Sequence, residues 1–228
     1  MNPVQEALAK GQPALSEYEA KRFLSGFGIP ICRETLVSDP ERAVAEAARI
    51  GFPVVAKASG AALLHKTEVG GVALNLKSQA EVKDEAGRLL RIPGCQAVLV
   101  QEMVKGDREL VCGLTRDAQF GPCVMFGLGG ILTEVLEDAV FRLAPLTDMD
   151  AMEMLQEIRS VKILGPFRGQ PPVDRAALSR ILIALGTIAT QYEAIREIDL
   201  NPVKIRPDGS PVAVDALISL APTQPARV

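Results

Sequence analysis

The chain has 228 residues, of which 48% are hydrophobic and 23% charged, and it carries a formal net charge of −3 at pH 7. That length and balance describe a globular protein with a sizeable core. They exclude an electrostatic case for nucleic acid or an anionic membrane as partner, because Lys and Arg are scattered and no basic run carries interleaved aromatics.

The chain begins Met1-Asn-Pro-Val-Gln-Glu6, with neither a basic start nor an apolar stretch, so no signal peptide is expected. No apolar run approaches the roughly 20 residues that cross a bilayer, and a cytoplasmic protein is expected. Cys32, Cys95, Cys112 and Cys123 are widely spaced and form no CxxC pair. They read as reduced thiols, mostly buried, rather than a zinc site.

Taken in chain order, the first helix signal is Ser16-Glu-Tyr-Glu19, a capping box, followed by Ala20, Phe23, Leu24 and Phe27 on one face and a stop at Gly28 before Pro30. Ser38-Asp-Pro-Glu41 has the same spacing and opens a second helix that ends at Gly51. A strand is expected at 54–58 and another at 72–76. Ser78-Gln-Ala-Glu81 starts a third helix, with Val82, Ala86, Leu89 and Leu90 at helical spacing and an end near Pro93-Gly94. Strands are expected at 97–101, 109–115, 123–126 and 139–143. A long helix from about 174 to 192 directs Leu178, Ile181, Leu182, Leu185 and Ile188 toward a core. The last pattern is a hairpin, 203–206 and 212–217 about the turn Pro207-Asp-Gly-Ser210. Helices and strands alternate without a strict βαβ rhythm, so the fold class is α+β (mixed α/β). Residues 1–14 and 221–228 are expected to be loose ends.

Four stretches carry possible chemistry. The only histidine, His65, stands between Lys57-Ala-Ser-Gly60 and the paired Gly70 and Gly71. A neutral imidazole can accept and return a phosphoryl group near pH 7, and paired glycines can offer backbone N–H groups to a phosphate. Gln101-Glu-Met-Val-Lys-Gly106 joins two strands and reads equally as an interlobe hinge or a plain β–β connection. Phe126-Gly-Leu-Gly-Gly130 is a partial phosphate signal, short of GxGxxG, and there is no GxxxxGK[ST]. Arg142, on an expected strand, is either an anion clamp or a surface arginine. Near the end, Glu197-Ile-Asp-Leu-Asn-Pro202 and Asp215 lie on neighbouring expected strands. Asn201 and Asp215 would together offer two hard oxygen ligands to Mg²⁺, although Asp-Leu-Asn-Pro also reads as a turn.

The order of these stretches is itself informative. Pro53-Val-Val-Ala-Lys57, His65-Lys-Thr-Glu-Val-Gly-Gly71, Gln101-Glu-Met-Val104, Glu109-Leu-Val-Cys-Gly113, Gly127-Leu-Gly-Gly130, Phe141-Arg-Leu-Ala-Pro145 and Glu197-Ile-Asp-Leu-Asn-Pro202 resemble the ATP-grasp subunit of the NDP-forming acyl-CoA synthetases, over nearly the whole chain. The resemblance implies a single ATP-grasp domain, residues 1–228, with lobes at about 15–100 and 101–220 and nucleotide between them. It implies ATP/ADP and Mg²⁺ as cofactors. Lys57 would neutralise phosphate charge, Glu102, Met103 and Val104 would form the adenine-binding hinge, and Glu109 would accept from the ribose. Asn201 and Asp215 would be the Mg²⁺ ligands. His65 would carry phosphate, Gly129 and Gly130 would lie close to the transfer, and Arg142 would help hold the phosphoryl group.

The family reaction also needs a CoA-binding domain and a second histidine, and this chain has neither a GxGxxG nor another His. The resemblance therefore implies either a separate CoA-binding α subunit that carries the acyl-phosphate histidine, in an α2β2 hetero-oligomer, or that the chain is a fragment of a fused enzyme. A non-catalytic regulatory module and an ATP-grasp carboxylate–amine ligase are the competing expectations. The retention of Lys57, His65, Glu109, Asn201 and Asp215 argues against the former, and the latter has no use for His65.

Overall fold

The structure, a computed structural model, describes residues 2–60, 63, 69–130 and 138–221. In chain order the elements are α1 (Pro3–Ala9), α2 (Glu17–Ser25), β1 (Glu34–Val37), α3 (Pro40–Ile50), β2 (Val54–Ser59), β3 (Val72–Leu76), α4 (Gln79–Leu89), β4 (Ala97–Glu102), β5 (Glu109–Asp117), β6 (Gly121–Leu128), β7 (Ala139–Leu143), α5 (Asp148–Glu157), a 3-10 turn (Val161–Leu164), α6 (Arg175–Gln191), β8 (Ile195–Ile205), β9 (Pro211–Ala213) and β10 (Leu217–Leu220). They form two compact units, one of residues 32–104 and one of residues 1–31 with 105–228. The first 31 residues thus group with the C-terminal part rather than with the expected lobe at 15–100.

The smaller unit is an antiparallel sheet in the order β1-β4-β2-β3 with α3 and α4 on one face. Val54, Ala56 and Ala58 of β2 and Val98 and Val100 of β4 pack with Ala43, Ala47, Val82, Ala86 and Leu89 of the helices. Successive strand residues alternate between faces, so Lys57 points away from α3 and α4.

The larger unit is an antiparallel sheet in the order β10-β8-β5-β6-β7, with β9 paired to β8. Leu110, Cys112, Leu114, Val124, Phe126, Ile198 and Leu200 face a core completed by Met154, Leu155, Leu178, Ile181, Leu182 and Leu185 of α5 and α6. All four cysteines are free thiols. Burial, with a smaller contribution from the Asp199 charge, pushes Cys112 up to about 12.

Several local expectations are corrected. Residues 2–14, expected as part of a loose end, are ordered: α1 is capped by the Asn2 side chain, which accepts from Val4 N, and Val4 and Ala7 are buried. Leu15 N donates to Ile218 O and Leu220 N to Pro13 O, so this segment extends the edge at β10. Residues 222–228 lie outside the described residues. The cap of α3 is Asp39, not Ser38: Pro40 takes the first helical turn, and the Asp39 carboxylate accepts from Arg42 N at 2.8 Å. Ser16 and Glu19 do form the reciprocal box on α2. At α4 only half of it is present, because Glu81 accepts from Lys77 N instead of Ser78 N.

Candidate functional site

Each unit carries a set of the residues singled out above. In the smaller one, Lys57 lies mid-strand on β2, opposite Leu99 of β4 and Val72 of β3, and is 6% exposed. A lysine so enclosed keeps its charge only among polar groups or anions. At the end of β4 the Glu102 carboxylate turns inward, accepting from Arg33 N at 2.8 Å and from the Arg33 guanidinium at 3.4 Å. Met103 N donates to Pro53 O at 3.2 Å. These bonds fix Glu102 and Met103 to Arg33 and Pro53, the residues just before β1 and β2, and the Glu102 side chain is used in holding them.

In the larger unit, Glu109 opens β5 opposite Lys204 of β8, and the Glu109 carboxylate and Lys204 Nζ are 3.2 Å apart. Lys204 Nζ also donates to Gly106 O. Gly129 N donates to Glu109 O at 2.8 Å. A Cβ on Gly129 would stand 2.7 Å from the Leu110 backbone, and one on Gly130, at φ +79°, would stand 2.8 Å from Glu109 Oε2. The two glycines let the chain after β6 press directly against Glu109.

The C-terminal hairpin differs from the sequence pattern. Asn201 lies within β8, not in a turn, and Asp215 lies in the break between β9 and β10. The register is the same on both sides of that break, with Val203 opposite Ala213 and Asp199 opposite Leu217. Asn201 therefore faces Asp215 across the interrupted ladder. Ala216 N donates to Asp215 Oδ1 at 2.9 Å, which fixes one carboxylate oxygen.

Sequence reasoning missed Asp199. It stands two residues before Asn201 and so shares its face of the strand. Burial, then the charges of Glu197 and Asp215, push its pKa up to about 6. An amide and carboxylates gathered on one stretch of sheet are a donor set that fits a hard divalent cation. Among the described residues no three His, Cys, Asp or Glu side chains form a metal cage by themselves. Two oxygen donors such as Asn201 and Asp215 would leave the rest of a coordination sphere to phosphate oxygens and water. The alternation of β8 was the signal that could have located Asp199.

Arg142 occupies β7, the edge strand, with its guanidinium on Glu157 of α5 and Glu153 at 3.8 Å. The described geometry engages it with helix carboxylates. His65 falls outside the described residues.

A family model described as an ATP-grasp domain matches residues 6–220. The chain belongs to the ATP-grasp domain family. It is 39% identical over 224 residues to the beta subunit of acetate–CoA ligase (ADP-forming) I of Pyrococcus furiosus, covering 95% of this chain and 96% of that one. Against acetate–CoA ligase (ADP-forming) II of Archaeoglobus fulgidus it is 41% identical over 199 residues, but spans only 29% of that longer protein. Among solved structures, acetyl-coenzyme A synthetase 1 of Ca. Korarchaeum cryptofilum, in complex with coenzyme A and Ca-AMPCP, superposes with a TM-score of 0.90 at 42% identity, covering 96% of this chain and 98% of that one. The same synthetase has been solved with Mg-AMPPCP and a phosphohistidine segment pointing towards the nucleotide-binding site.

Proposed function

We propose that this chain is the nucleotide-binding β subunit of an NDP-forming acyl-CoA synthetase, which interconverts acyl-CoA, ADP and phosphate with the free acid, ATP and CoA. The observation that carries this reading is the match to the beta subunit of an ADP-forming acetate–CoA ligase, over 95% of this chain and 96% of that one. The retained side chains agree with it. Phosphoryl transfer is mostly positioning and charge neutralisation, and Lys57 supplies a cation for the α- and β-phosphates. In segment 102–104, Glu102 and Met103 are fixed by their bonds to Arg33 and Pro53, which suits a backbone edge that reads adenine. Glu109, oriented by Lys204, accepts from the ribose hydroxyls. Asn201 and Asp215 would hold Mg²⁺, which when bound neutralises charge on the phosphates.

His65 is the relay. In the ATP-forming direction its phosphoryl group leaves the ring nitrogen as a terminal β-phosphate oxygen of ADP forms the new P–O bond, and in reverse the imidazole displaces ADP from the γ-phosphorus. Gly129 and Gly130 keep the chain close to Glu109. Arg142, expected to help hold the phosphoryl group, is paired with Glu157 and Glu153 of α5 in the described geometry. The partner is a CoA-binding α subunit, and the assembly is a hetero-oligomer.

The test is ATP formation from acyl-CoA, ADP and phosphate by the purified chain, alone and with such an α subunit. Turnover is expected only in the mixture, and is expected to vanish in His65→Ala. Turnover by the chain alone, or by the mixture with His65→Ala, would contradict the assignment.

A further inference from the structure

Lys21, in the middle of α2, is completely buried, and its Nζ lies 2.8 Å from Glu17 one turn earlier, itself almost fully buried. A buried ion pair is a poor source of stability, since an apolar pair of the same volume does as well or better. This one has a specific contact instead. Lys21 Nζ donates to Val214 O at 3.3 Å, and Val214 N donates to Pro202 O at 3.2 Å. Val214 immediately precedes Asp215, and Pro202 immediately follows Asn201. The chain Lys21 to Val214 to Pro202 therefore joins the two residues that face each other across the broken ladder.

The break explains why such a clamp is needed. The ladder pairs nearest to Asp215 are Val203 with Ala213 and Asp199 with Leu217, and between them the Val214 N–Pro202 O bond holds the segment to β8 where the regular ladder is interrupted. A charged donor makes a stronger hydrogen bond than a neutral one. An unbalanced ammonium beside a cation site would repel the cation, and Glu17 cancels that charge.

We propose that the Glu17–Lys21 pair is a neutral buried clamp that positions Asn201 and Asp215 for a divalent cation. The inference rests on those two residues being the cation's ligands. Groups that orient metal ligands commonly affect metal affinity by about 10–100-fold.

The experiment compares the full chain with Glu17→Gln/Lys21→Met, which removes both charges together, and with Asp215→Asn. Mn²⁺ affinity at saturating ADP is read by electron paramagnetic resonance, ADP affinity in EDTA by calorimetry, and folding by thermal melt. The double variant is expected to fold and to bind metal-free ADP as the native chain does, with Mn²⁺ affinity lower by about tenfold. A folded double variant with native Mn²⁺ affinity overturns the clamp, provided Asp215→Asn has lost it. Native Mn²⁺ affinity in Asp215→Asn overturns the ligand assignment and the clamp with it. Should the double variant not fold, the native chain labelled with ¹⁵N-lysine decides the matter. The Lys21 ammonium resonance is expected to move on adding Mg²⁺ to the ADP complex, and a resonance that stays in place overturns the clamp.

Discussion

Asp138, 5% exposed, accepts from Arg159 N at 2.7 Å and from Ser160 N at 2.8 Å. Burial alone would raise its pKa, but the bonds from Ser160 and Arg159 outweigh that, and the carboxyl is held below the ordinary carboxylate value. Its contribution is therefore present above the unfolded value, near 3.8, and is lost as pH falls through the lower folded one. Asp138→Asn should cost about 1–3 kcal/mol at pH 7, with a smaller deficit at pH 3. Urea unfolding at the two pH values checks this, and an unchanged deficit would contradict it. Lys57→Ala should weaken ADP binding by about 1.5–3 kcal/mol, roughly tenfold to 150-fold, by calorimetry. Lys57, Glu109, Asn201 and Asp215 stand out by residue identity, because chemistry of the proposed type needs those side chains in that order. The pairing of Arg142 with Glu157 and Glu153 was not legible, since it depends on where the edge strand lies against α5. Lys21 was illegible for a different reason: its contact is a backbone carbonyl 193 positions away.

At the scale of elements, local chemistry wrote most helix starts and strands correctly. The exceptions have identifiable causes. Ser38 and Asp39 are both good caps, and Pro40 decides between them by occupying the first turn. Asp39→Ala should cost about 1 kcal/mol in stability while Ser38→Ala changes little, and equal effects in thermal unfolding would contradict the assignment. Pro202 made the middle of β8 look like a turn, because proline cannot donate to a ladder. It is tolerated at the point where the β5–β8 register shifts, between Leu110 and Cys112. The short α1 escaped notice because seven residues give too little periodicity to see.

At the scale of the whole molecule, the described residues form two hydrophobic cores, one beneath each sheet. Chain order suggested that residues 15–31 would join the first. The Leu15–Ile218 and Leu220–Pro13 hydrogen bonds assign them to the second, a pairing between chain ends that no local pattern encodes. At this scale the central claim is that the chain moves phosphate between a nucleotide and His65 and depends on a partner to reach the acyl group. Incubation with Mg²⁺ and γ-labelled ATP, with and without a CoA-binding α subunit, tests it directly. The account predicts acid-labile, base-stable label on His65 that chases onto added ADP. With the partner present and ATP bound, an unlabelled His65 would contradict it.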